Sequence, residues 1–242
     1  MMRSKLVDKI VETENCHTDD TDFFAGAEEG RIYSFLNPVS YMKALKHQDL
    51  FCQMDGLFAD GAILVAAIWF FHGRKVTRRS CDMTSLAPML LKDAADNKKT
   101  VYMIGAKQNE VAKAVTTLCE HYKGVNIIGY RNGYFASEHE RDDEIRHIVT
   151  LNPDLLIVGM GAVRQEQFLL KVKEAGFQGD GFTCGGFIHQ TANDSINYYP
   201  TWMNKMNLRF VYRMWKEPHT RKQYLRAAFI FPVKFVWEKF FG

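Results

Sequence analysis

The alternation that runs from Thr100 to Gly186 limits this chain more than any other feature. Short apolar runs, TVYMIGA, VNIIG, DLLIVGMG and GFTCGG, are separated by amphipathic stretches over residues 108–122, 137–150 and 164–175. Apolar runs this short read as buried strands, and stretches with apolar side chains at helical spacing read as helices lying on them. The order is therefore βαβαβαβ, which predicts a Rossmann-like α/β fold: a largely parallel sheet with helices on both faces, because a parallel crossover must travel over a face of the sheet. Each apolar run ends in glycine, at Gly105, Gly129, Gly159 with Gly161, and Gly185 with Gly186. In open parallel sheets the ligand crevice lies beyond the C-terminal ends of the strands, where glycine lets a backbone approach a phosphate or turn sharply into a helix.

The first hundred residues add strand candidates at RIYSFL and near LFCQMDGLF, with helices over 40–48 and 61–71, and these are expected to complete the same sheet. After Pro200 the glycine punctuation stops and the text turns aromatic and basic. This divides the chain into a Rossmann-like body, residues 1–200, and a mostly helical appendage, residues 201–242. The length of 242 residues suits one core plus such an appendage. A net charge of +3 hides an asymmetry, since the residues from Thr201 onward hold nine Lys and Arg against two Glu, which leaves −4 for the first 200. The usual partners of a basic tail are nucleic acid or an anionic membrane surface, and the body carries no recognised nucleic-acid motif.

Several function classes are disfavoured. GMGAVR supplies the first two glycines of a dinucleotide fingerprint without the third, so a nucleotide-dependent oxidoreductase has weak support. The five cysteines are scattered without CxxC or Cys/His spacing, which fits a reduced, cytosolic chain with no zinc site. The N-terminal MMRSKLVDKIVETENC has acids where a secretion signal needs an apolar run, and no apolar run is long enough to span a bilayer. Asp20-Thr21-Asp22 imitates a metal-binding D-x-D, but it lies in a polar segment rather than after a strand and reads as turn or cap chemistry.

Three stretches together resemble the WecG/TagA/CpsF family of bacterial glycosyltransferases: ADG at residues 59–61, VGMGAVRQEQF at 158–168, and NLRFVYRMWKEPHTR at 207–221. VYMIGAK and VNIIGYRNGYF are similar to the family's intervening strand-and-turn segments, so the resemblance runs from about Ile32 to Arg226. It implies an inverting enzyme, and the reading of Asp20-Thr21-Asp22 as turn or cap chemistry makes it a metal-independent one without a cofactor. Such an enzyme moves a sugar of N-acetylmannosamine type, or a related hexose, from a UDP-sugar to a polyprenyl diphosphate-linked acceptor in cell-surface polysaccharide synthesis. It further implies a cytoplasmic protein held peripherally on the inner leaflet of the cell membrane by its C-terminal appendage, with a second copy of the chain as an optional partner and no nucleic acid. A catalytically silent scaffold of a polysaccharide assembly complex is the alternative.

The resemblance also assigns residues. Asp60 matches the family's catalytic base, against a competing reading as a helix N-cap. Asn37, Gly105, Gly161, Gln165, Glu166, Gly185, Gly186 and His189 become donor-site candidates, with capping and a solvated first helical turn as the structural readings of Asn37 and of Gln165 with Glu166. Arg78, Arg213, Arg221 and Arg226 become candidates for the acceptor diphosphate. The chain departs from the family pattern at His189, where an Asp is usual, at Tyr198-Tyr199-Pro200, where R-A-P is usual, and at Phe35, where Thr is common. An acid and a base lost together point to a changed donor or acceptor.

Overall fold

The computed structural model describes residues 5–11, 30–194, 198, 203 and 209–241. Six strands form one all-parallel sheet: β1 (Ile32–Leu36), β2 (Gly56–Ala59), β3 (Thr100–Gly105), β4 (Asn126–Arg131), β5 (Leu155–Gly159) and β6 (Asp180–Thr183), in the spatial order β2-β1-β6-β5-β3-β4. The central strands read as unbroken apolar runs because both faces are covered. In β3 and β5, Val101, Met103, Leu155 and Ile157 point to one face, while Tyr102, Ile104, Leu156 and Val158 point to the other. The first face is closed by α5 (Leu86–Asp96), α6 (Gln108–His121) and α9 (Phe187–Asp194). The second is closed by α1 (Lys5–Asp8), α2 (Pro38–Ala44), α3 (Gln48–Cys52), α4 (Ala62–His72), α7 (Glu138–Leu151) and α8 (Arg164–Glu174).

Three sequence expectations need correction. The helix expected over 40–48 is two short helices, α2 and α3, and only the end of LFCQMDGLF becomes strand. Gly129 does not end β4, which continues to Arg131; it sits inside the strand, where a Cβ would come within 2.4 Å of the Tyr102 ring. That close approach, beside an irregular register at Val101 and Tyr102, is what requires glycine there.

The crossovers diverge twice. From β3 the chain runs out to β4, whereas from β5 it runs the other way to β6, so the C-terminal ends of β3 and β5 open between departing helices, with Gly105 and Gly159 as neighbours in register. Likewise β1 leads outward to β2, while the helix after β6, α9, packs back on α6. A crevice at such switch points is the expected binding location of this architecture.

The expected boundary at residues 200 and 201 lies outside the described residues. Beyond it come α10 (Arg209–Lys216), a 3₁₀ turn (Pro218–Thr220) and α11 (Arg221–Phe241), which packs on α2 and α4. One face of α11 belongs to the body's core: Phe231 meets Tyr41 edge-on with ring centroids 5.6 Å apart, Phe235 lies 5.2 Å from the same ring, and the Tyr41 hydroxyl donates to the buried Glu238 at 2.6 Å. Lys239 donates to the Phe71 carbonyl at the end of α4. Among the described residues no helix is long and apolar enough to cross a membrane.

Candidate active site

A cavity of about 960 Å³ opens where the strand ends meet α10 and α11. Its polar floor is built by the turns after β1, β2, β5 and β6, which contribute Asn37, Asp60, Gly161, Gln165, Gly185, Gly186 and His189. The tail supplies the roof with Arg209, Arg213 and Leu225. Nine of the expected site residues therefore share one space: these seven floor residues together with Arg78 and Arg213.

Asp60 reaches that space because of the residue after it. Its N–H continues the β1–β2 ladder by donating to the Leu36 carbonyl at 2.7 Å, and Gly61, at φ 99°, then turns the chain into α4. That backbone conformation is available to glycine and strained for other residues. Gly61, not Asp60, is the N-cap of α4, so the capping reading of Asp60 fails and its carboxylate is left to face the cavity. Arg79 donates its N–H to the Ala59 carbonyl and so brings Arg78 alongside, with Nε 3.9 Å from the Asp60 carboxylate. The side chain of Asp60 keeps 29% of its surface open to the cavity and is otherwise enclosed by protein. Burial, reinforced by the charge of Asp82, pushes its pKa up to about 6, against the opposing pull of Arg78, Arg209 and Arg213. A carboxylate with that affinity is ionised at neutral pH yet accepts a proton more readily than an ordinary aspartate, as a general base requires.

Gln165 and Glu166 begin α8, and both are buried rather than solvated. Glu166 is walled off behind the cavity: one oxygen accepts from Ser34 Oγ at 2.7 Å and from Gln165 Nε2 at 2.8 Å, and the other accepts the Val163 N–H at 2.6 Å. Val163 holds φ at 82°, a costly conformation for a β-branched residue. Gln165 in turn accepts the Gly185 N–H at 3.2 Å, which ties the β5–α8 turn to the β6–α9 turn. Gln165 thus touches the cavity, and Glu166 fixes the turn that forms it. Asn37 serves two ends, because it caps α2 by accepting from the Val39 and Ser40 N–H groups at 3.0 Å while it lines the cavity.

The cations are sorted by position. Arg209 donates to Ser80 and to Asp82, each at 3.3 Å, and Arg213 pairs with Glu217 at 3.5 Å. Glu217 also accepts from the Tyr198 hydroxyl at 2.7 Å, so the departure at Tyr198 supports the acid that orients Arg213. A Cβ on Gly186 would stand 3.1 Å from the Arg213 guanidinium, which places this tail arginine directly over the β6–α9 turn. Arg221 is exposed and donates to the Met214 carbonyl, Arg226 is exposed on α11, and neither lines the cavity. Gly105 also stands back from it: a Cβ there would come within 2.4 Å of the Gly159 carbonyl, so strand contact is what requires glycine. His189 lies where the floor meets the rim, its Nδ1 2.8 Å from Glu110 on α6, which brings a carboxylate to a turn whose own acid is absent.

Sequence reasoning passed over Asp82 and Glu110 as site members and did not single out Arg209. Asp82 and Arg209 lie within motif-like segments, RRSCDM and NLRFVYR, but Glu110 carries no local signal, because α6 brings it to the rim only through the fold. Among the described residues no group of three His, Cys, Asp or Glu stands close enough to hold a metal ion; Asp20 and Asp22 lie outside them.

Comparison with known proteins identifies the family. The family model described as "Glycosyl transferase WecG/TagA/CpsF family" matches residues 11–242. A Shigella boydii protein named UDP-Gal:alpha-D-GlcNAc-diphosphoundecaprenol beta-1,4-galactosyltransferase is 32% identical over 207 residues, 86% of this chain and 86% of its own. An N-acetylglucosaminyldiphosphoundecaprenol N-acetyl-beta-D-mannosaminyltransferase of Bacillus subtilis is 25% identical over 200 residues, 81% of this chain and 75% of its own. The enzyme of the same name from Bacillus spizizenii is 26% identical over 216 residues, 88% of this chain and 81% of its own. With the match spanning nearly the whole sequence and the site assembled from the stretches that carry the likeness, the chain belongs to the WecG/TagA/CpsF family of glycosyl transferases.

Proposed function

We propose that this glycosyltransferase transfers a hexose from a UDP-sugar to an N-acetylglucosaminyl lipid diphosphate, with inversion at the anomeric carbon and Asp60 as the base. The observation that carries the reading is the Asp60 carboxylate, raised to about 6, at the polar floor of a cavity ringed by Arg78, Arg209 and Arg213. Asp60 takes the proton of the acceptor hydroxyl as its oxygen attacks the anomeric carbon. The bond from that carbon to the diphosphate breaks with its electrons leaving on UDP, and a bond to the acceptor oxygen forms on the opposite face. The departing charge is met by N–H groups of the glycine turns and by the cavity arginines. Arg213 and Arg209 are the tail cations placed to serve the diphosphates, and the same cationic set supports a reaction without a metal ion.

Galactose is the favoured donor sugar, because the galactosyltransferase relative is the more similar of those compared and the acid usual at the His189 position is supplied by Glu110 instead. The protein works at the cytoplasmic face of the membrane, held there by the outward face of α11. A panel of UDP-sugars offered with a GlcNAc-diphosphate lipid tests the reading, with and without EDTA. A β-linked product formed best from UDP-galactose and undiminished by chelation is expected; no transfer from any UDP-sugar would overturn the proposal, and a loss reversed by Mn²⁺ would overturn its metal-free part.

A further inference from the structure

Helix α4, AILVAAIWFFH, contains no Asp, Glu, Lys or Arg although it lies at the surface. Leu64 and Ile68 are buried against the body, yet the opposite face is apolar too: Ile63 is 49% exposed, Trp69 58% and Phe70 74%. A surface helix that is apolar all round is not built to face water. Helix α11 carries cations but likewise exposes apolar side chains opposite its buried face, since Phe231 and Phe235 are buried while Leu225, Phe229, Val233, Trp237 and Phe240 lie exposed at successive turns. The two helices run side by side. Ile63 of α4 and Leu225, Ala228 and Phe231 of α11 all line the cavity, and farther out Phe71 and His72 pack on Phe235 at 6.0 and 5.4 Å. The cavity thus has a polar floor at Asp60 and an apolar wall that continues outward along both helices, for roughly 20 Å from Leu225 to Phe240 at the helical rise.

We propose that this wall holds the hydrocarbon chain of the acceptor lipid, and that α4 is a lipid-contacting element in its own right beside the C-terminal helix. The inference rests on the reading of the acceptor as a lipid diphosphate. An amphiphile whose charged head and apolar chain are joined end to end matches a cavity with arginines at one end and exposed aliphatic and aromatic side chains at the other. Charge also selects this occupant: Lys222, Arg226 and Lys234 are exposed on α11, while its single acid, Glu238, is buried against Tyr41. Such a face suits an anionic lipid surface, whereas a symmetric contact between two copies would set these cations against one another.

The test compares two GlcNAc diphosphate acceptors, one with a long polyisoprenyl chain and one with a short alkyl chain that ends inside the cavity. The enzymes compared are the wild type, Trp69→Ser with Phe70→Ser, and Trp69→Leu with Phe70→Leu. Both substituted residues are exposed and lie outside the cavity lining. The serine variant should raise KM for the long-chain acceptor about tenfold or more while leaving the short-chain acceptor within about twofold, and the leucine variant should restore the wild-type value. Equal effects on both acceptors, or no effect on either, would overturn the proposal. So would a wild-type dimer that the serine variant dissolves, since the face would then be a contact between copies. Transfer by the wild type to neither acceptor would instead remove the lipid-acceptor reading, and this inference with it.

Discussion

Asp60 is in a position that costs stability once its carboxyl ionises. Its carboxyl holds a proton more tightly in the folded chain than in the unfolded one, so the folded state binds more protons between about pH 4 and pH 6. Stability therefore falls as pH rises through that window and stays lower above it. Asp60→Asn should raise stability at pH 7 by about 1 to 2 kcal/mol, less than the full shift implies because the carboxylate still meets cavity water, or roughly 2 to 8 °C in Tm. In the wild type, kcat/KM should fall below about pH 6, where the base becomes protonated. An unchanged or lowered Tm in the variant, or a flat acidic limb, would count against the assignment. Burial pushes the Glu166 carboxyl up as well, but all three of its bonds are accepted ones, and in glutamine the amide NH₂ would face the Val163 N–H or the Ser34 and Gln165 donors with nothing to accept them. Glu166→Gln should cost about 1 to 3 kcal/mol and loosen the strained Val163 turn, with KM for the donor rising more than kcat falls. Donor kinetics identical to wild type would reduce Glu166 to a packing role. The sequence pointed to Asp60, Gln165 and Arg213 because the residue types sit beside glycine turns or in a recognisable motif. It could not separate Gln165, which touches the cavity, from Glu166, which stands behind it, because that distinction depends on which way each side chain leaves the first turn of α8.

At the scale of elements, α11 is the part whose two faces do different things. Phe231→Ala or Phe235→Ala opens a hole between α11, α2 and α4 and should destabilise the protein by about 3 to 5 kcal/mol. Substituting Phe229, Val233 and Trp237 by Ser on the outward face should leave the thermal midpoint nearly unchanged and abolish flotation with anionic liposomes. Liposome binding that survives the triple substitution would remove α11 as the membrane anchor. Charge and composition set the tail apart as a mostly helical appendage without saying whether it packs on the body or on a membrane, because aromatic residues at helical spacing read alike whether they meet a core or a bilayer. Tyr41 and Glu238, 197 positions apart and joined by a 2.6 Å hydrogen bond, settle which face is inside, and no local pattern encodes that pairing. The central strands were legible because burial on both faces leaves them uniformly apolar. Edge strand β4 was only partly so, since its exposure alternates and Gly129 answers to Tyr102 across the sheet rather than to a turn.

For the molecule as a whole, the parallel sheet sets the location of the site, the glycine turns shape its floor, and the tail completes its cationic wall. The direction of that logic was readable from the alternation after Thr100, whereas the closure of the cavity by Arg209, Arg213 and Leu225 depends on the tail folding back across the strand ends. The account stands or falls on Asp60 acting as the base for transfer to a lipid-linked sugar. The most direct measurement is kcat for transfer from UDP-galactose to a GlcNAc-diphosphate lipid by wild type and Asp60→Asn, with UDP affinity measured on the same preparations. The asparagine variant should lose about 10² to 10⁴ in kcat while UDP affinity stays within a few-fold, because the amide keeps the shape of the side chain but cannot accept the proton. A folded variant that keeps more than about a tenth of the wild-type kcat would contradict the account.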